Sequence, residues 1–99
     1  MTVTSDNYLW AGTLNMQITM GSKGTQGCEI YRYDGTTWTP IIKDNIGEMD
    51  NGFGYIYNDG ARAMIEYPPS SGNVVVGTFK QVEAHKPSEG CEIWMRLNS

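Results

Sequence analysis

The chain is poor in the residues that most often carry chemistry. It has one histidine and two cysteines in 99 residues, so closely spaced sets of zinc ligands are excluded. Its seven lysines and arginines are scattered and form no run. Against eleven acidic residues they leave a net charge of −4 and a pI near 4.7. That balance offers no electrostatic footprint for nucleic acid or an anionic membrane surface. No stretch approaches the ~18 consecutive apolar residues of a membrane-spanning helix. The opening "MTVTSDNYLW" has no basic segment ahead of an apolar one, as a secretory signal would; the compartment stays open. P-loop, dinucleotide-binding glycine pattern and nucleophile elbow are all missing, because the glycines fall at turns and strand ends. No catalytic residue, cofactor or metal site is assigned.

What the chain does have is turns and rings. Twelve glycines and six tyrosines accompany 39% hydrophobic residues. This is too apolar for a disordered chain and too turn-rich for a helical bundle. The length allows a single domain, residues 1–99, with one modest core.

Within it, "GCEIY" at Gly27–Tyr31 is written again as "GCEIW" at Gly90–Trp94. The similarity extends upstream: "NYLWAGT" ends at Thr13 and "NVVVGT" at Thr78. Gly12 and Gly77 are 65 positions apart, Gly27 and Gly90 are 63 apart, and the difference falls in connecting loops, where insertions are tolerated. We read an internal repeat, with one partial copy over 6–60 and a second over 61–99. β-branched and aromatic runs bounded by turn residues predict strands at 8–13, 28–33, 37–42, 62–67, 73–79 and 91–97, and no helix. Asp34-Gly35 predicts a tight hairpin and Asp59-Gly60 another turn. The Gly/Asn/Asp-rich stretch 43–60 reads as a long loop, with room for a short strand at 55–57.

"GCEIYRYDGTTWTPI", the Gly/Asn loop, "ARAMIEY", "NVVVGTF" and "GCEIW" together resemble repeats of bacterial and archaeal β-propeller-like proteins. The resemblance covers roughly 7–96 and implies antiparallel blades of about four strands. It implies no activity, because propellers serve many functions. About one and a half repeats are present, too few to close a propeller in one chain.

The expected fold is therefore all-β, with propeller-blade-like antiparallel sheets. The first repeat lacks its opening strand and the second its closing one, so the strands at 8–13 and 91–97 would each carry a bare edge, which natural proteins rarely leave uncovered. Self-association into a homo-oligomer is the preferred completion; the alternatives are internal closure into a six-stranded sheet or barrel and a larger protein that supplies the missing blades. Cys28 and Cys91, at equivalent repeat positions, are expected as two buried thiols rather than a disulfide, since equivalent strands usually lie beyond bridging distance. Alternation places Cys28, Ile30 and Arg32 on one face and Glu29, Tyr31 and Tyr33 on the other. It likewise separates Cys91, Ile93, Met95 and Leu97 from Glu92, Trp94 and Arg96. Val74–Val76, apolar throughout, suits a strand buried on both sides.

Three sets of side chains are functional candidates. Trp10, Tyr31, Tyr33 and Trp94 offer rings for stacking on a carbohydrate or anchoring a protein ligand. Met16, Ile18 and Met20 form an apolar patch in a long polar loop, the expected partner surface. His85, and Asp44, Glu48 and Asp50 of the acidic loop, are what a small hydrolase would have to use; the loop lacks the ligand spacing of an EF-hand. The function expected is a non-catalytic binding or interaction module.

Overall fold

A computed structural model describes residues 1–14, 27–54, 58, 60–79 and 91–98. These form two antiparallel sheets. The first contains β1 (Thr2–Val3), β2 (Leu9–Gly12), β3 (Ile30–Tyr33) and β4 (Trp38–Ile42), hydrogen-bonded in that order. The second contains β5 (Gly60–Glu66), β6 (Val74–Phe79) and β7 (Ile93–Arg96), again in sequence order. Asn51–Gly54 forms a tight turn in which Gly52 and Phe53 take positive φ of 67° and 60°. The sheets stay open and do not close into a barrel.

All six expected strands are present; five are shorter than expected, and β5 begins at Gly60, two residues before the expected start. β3 starts at Ile30 because Cys28 leaves the ladder. Its N–H donates to Asn58 O at 2.9 Å, and its carbonyl accepts from Gly52 N at 2.8 Å. The β3–β4 hairpin turns at Asp34-Gly35 as its sequence dictates. Asp34 Oδ1 accepts from Thr36 N at 2.8 Å and Thr37 N at 2.7 Å, while Gly35 takes φ of 103°, a left-handed conformation that costs glycine little.

One edge differs from expectation. The strand at 8–13 does have an opening neighbour: Thr2 and Val3 of β1 pair with Trp10 and Leu9. The turn between them is tied by Thr4 N to Tyr8 O at 3.0 Å, with Asn7 at φ 71°. Beyond β2, Leu14 bridges Gly60, and Ala61 N donates to Thr13 O at 3.1 Å. The rim of β2 is thus covered inside the chain by β1 and the start of β5. On the outer side of β7, no strand lies among the described residues.

The core lies between the sheets. Trp10, Cys28, Ile30, Ile41 and Ile42 of the first sheet and its flanks meet Val74 and Val76 of the second, with Phe53 from the turn after β4. Met64 and Trp94 pack against this cluster. Full burial of each aliphatic side chain is worth about 1.5–3 kcal/mol. The approach is close at one point. A Cβ on Gly12 would lie 2.5 Å from Ala61 Cβ and 2.7 Å from Met64 Cε, so glycine is what lets the sheets meet there. β6 is not buried on both sides: Val74, Val76 and Thr78 face the core, while Val75, Gly77 and Phe79 are half-exposed on the other face. A third layer would have been needed to cover that second face, and none is supplied by the described residues.

Candidate functional site

The two Cys-Glu-Ile-aromatic segments are held by the same bonds. Thr13 N donates to Glu29 O at 2.9 Å, and Glu29 N to Thr13 Oγ1 at 2.8 Å. In the second segment Thr78 N donates to Glu92 O at 2.8 Å, and Glu92 N to Thr78 Oγ1 at 2.8 Å. The phenol of Tyr31 donates to Glu29 Oε1 at 2.7 Å, and the indole of Trp94 to Glu92 Oε1 at 2.8 Å. Glu29 is buried and also accepts from Lys43 Nζ at 3.1 Å and Asn51 Nδ2 at 3.2 Å. Burial pushes its carboxyl up, but the bonds from Tyr31, Lys43 and Asn51 outweigh that and hold it below its ordinary value. Hydrogen bonding to Glu29 in turn raises Tyr31 and Lys43. Glu92 also accepts from Asn58 Nδ2 at 2.9 Å. Both carboxylates are structural acceptors, committed to neighbours.

Between the sheets lies a cleft of about 440 Å³, lined by Trp10, Ile30, Phe53, Val74 and Trp94, with Glu48 and Arg96 at its polar margin. Phe53 stacks on Trp94 at 4.9 Å and 9°. Trp10 donates its indole N–H to Thr4 Oγ1 at 3.2 Å and lies beneath two guanidiniums, Arg32 at 5.5 Å and Arg96 at 5.4 Å. Such cation–π contacts contribute about 0.5–1 kcal/mol where partly exposed. Arg96 holds Glu48 through two bonds of 2.9 Å, which lower Glu48 and raise Arg96. Among the described residues the cleft offers apolar area and the Glu48–Arg96 ion pair.

The four candidate rings lie on two different faces. Trp10 and Trp94 sit in the inter-sheet core. Tyr31 and Tyr33 project from the opposite, outer face of the first sheet, because Trp10 pairs with Arg32 and their parity is shared. On that outer face Tyr33 stacks on Trp38 at 4.7 Å and 29°, and Trp38 is exposed. Met16, Ile18, Met20 and His85 lie outside the described residues. In the acidic loop, Asp44 Oδ1 accepts from Asn51 N at 2.9 Å, and Asp50 Oδ1 from Asn45 N at 3.3 Å. Among the described residues no three His, Cys, Asp or Glu side chains converge on a common point.

The cysteines form no disulfide. Cys28 is buried as expected, but Cys91 is exposed, because no described residues form a layer over the face of the second sheet that its parity shares.

That face is the largest feature the ring and loop candidates did not include. Its register aligns Ile65, Val75 and Met95 in one row and Ala63, Gly77 and Ile93 in the next. Ile65, Ile93, Met95 and Leu97 are all exposed, forming an apolar surface. The alternation of Cys91, Ile93, Met95 and Leu97 was the available signal; what it lacked was any indication that this face stays open.

Comparison with protein-family models, curated proteins and solved structures returns no match.

Proposed function

We propose that the chain is a non-catalytic protein-interaction module that self-associates, built from a duplicated β unit of propeller-blade type. The duplication is supported by the recurring Thr–Glu–aromatic bonds in the two sheets. The single observation carrying self-association is the apolar outer face of β5–β7, where Ile93 is 79% and Leu97 65% exposed. Contiguous apolar surface of this kind marks interaction sites in soluble proteins. Light scattering across a range of protein concentrations tests the proposal: mass is expected to rise above that of one 11.0 kDa chain. A constant monomer mass up to millimolar concentration refutes it.

A second reading is favoured by the exposed Tyr33–Trp38 stack, a flat aromatic platform of the kind that carbohydrate-binding modules use. Binding on a glycan array that disappears in Trp38→Ala supports it; an array without hits removes it.

A further inference from the structure

We infer that the chain associates head to tail, the outer face of the β5–β7 sheet of one copy docking on the outer face of the β1–β4 sheet of the next. This rests on the self-association proposed above and specifies its geometry. The template is the molecule's own sheet–sheet contact. Aligning the two Gly-Thr segments, 65 positions apart, places Trp10 at the position of Val75, and aligning the two Cys-Glu-Ile-aromatic segments, 63 apart, places Cys28 at that of Cys91 and Ile30 at that of Ile93. The first member of each pair is buried against the second sheet; the second member lies on the uncovered face. Ile30 is 2% exposed where Ile93 is 79%. The glycines repeat the contrast: a Cβ on Gly12 would collide with Ala61 and Met64, while one on Gly77 would meet nothing within 4 Å.

The same alignments identify the covering surface. The second sheet covers the first with Val74, Val76 and Trp94, which correspond to Leu9, Ala11 and Tyr31. Those residues, with Tyr33 and exposed Trp38, form the outer face of the first sheet. One chain therefore carries both halves of a contact it already makes once internally. The halves are different surfaces at opposite ends of the two-sheet stack, so the contact is heterologous and generates a ring where the rotation closes or a filament where it does not. The occupant is a second copy of this chain.

A mixing experiment separates this geometry from self-association in general. Ile93→Glu removes the β5–β7 face and leaves the other intact; Ala11→Glu does the converse. Circular dichroism and thermal melting check that each folds, and Met95→Lys and Tyr33→Lys serve as second variants of the two faces. Each variant alone is expected to run as a monomer by light scattering at concentrations where the parent associates, and an equimolar mixture as a 1:1 dimer. In the parent assembly Cys91 is expected to react with a thiol reagent at least tenfold more slowly than in Ile93→Glu. A parent that associates while Ala11→Glu and Tyr33→Lys associate equally well, or a mixture that stays monomeric, overturns the head-to-tail geometry and leaves self-association standing. A monomeric parent overturns both.

Discussion

Truncating the two isoleucines of the duplicated segment, Ile30→Ala and Ile93→Ala, applies one chemical change to two opposite environments. Ile30 is 2% exposed, in the core with Trp10, Ile42 and Val74. Alanine removes three carbons there. At about 0.8 kcal/mol per buried methylene, that forfeits ~2.4 kcal/mol of transfer free energy. The unfilled space raises the total to about 3–4 kcal/mol. Domains of this size have about 5–15 kcal/mol in all, and each kcal/mol moves the midpoint by roughly 4–8 °C. Ile30→Ala should therefore melt at least ~12 °C below the parent. Ile93 stands 79% clear of its own chain, so in the unassociated molecule its truncation should stay within ~0.5 kcal/mol. Where copies associate, stability depends on protomer concentration, and the cost of Ile93→Ala should grow with concentration while that of Ile30→Ala does not. Urea titrations followed by tryptophan fluorescence at micromolar and near-millimolar protein measure both. If Ile93→Ala matches Ile30→Ala at the lower concentration, or Ile30→Ala costs under ~1 kcal/mol, the burial contrast between the sheets is refuted.

Further consequences follow from side chains already described. Glu29 titrates below its ordinary 4.5 when folded, so its stabilisation is fully present above that pH and is lost as pH falls through the depressed value. Glu29→Gln should flatten this acid limb in denaturation curves between pH 3 and 6, and an unchanged limb would show that the network of Tyr31, Lys43 and Asn51 does not favour the charged form. Gly12→Ala forces a Cβ against Ala61 and Met64 and should cost about 1–3 kcal/mol; Gly77→Ala meets open space and should be neutral or slightly stabilising in dilute protein. A maleimide should label Cys91 in the folded monomer and Cys28 only after denaturation, as mass spectrometry of the labelled peptides would report.

The strands were legible because their signals are local. Val74–Phe79 is β-branched and flanked by Ser71-Gly72, and Asp34-Gly35 writes the hairpin in two letters. β1 was missed because two residues, Thr2 and Val3, cannot display a period of two. How the four candidate rings are placed relative to one another was not legible for a different reason. Whether Trp10 shares a face with Tyr31 depends on the β2–β3 register, Trp10 opposite Arg32, and register is a property of the pair rather than of either strand. Least legible was which faces are covered. Cys-Glu-Ile is the same three residues at 28–30 and 91–93, yet it is buried once and largely exposed once. Local composition cannot encode that difference, because it arises from the layer that lies above.

The four positions Cys-Glu-Ile-aromatic therefore divide between two tasks that a strand separates by parity. Cysteine and isoleucine point toward the face that a neighbouring sheet covers in the first copy, and their volume sets how well that layer packs. Glutamate and the aromatic two residues later point the other way, and their bond does not depend on the covering layer: a phenol supplies the proton to Glu29, an indole to Glu92. What the glutamate requires is an O–H or N–H donor at that spacing on its own face, and tyrosine and tryptophan both satisfy it. Glutamate also locks to the preceding strand through a threonine hydroxyl in both sheets. Each segment is thus tied within its sheet by polar bonds on one side and carries an apolar surface on the other. Among the described residues, that apolar surface is buried in the first segment and exposed in the second.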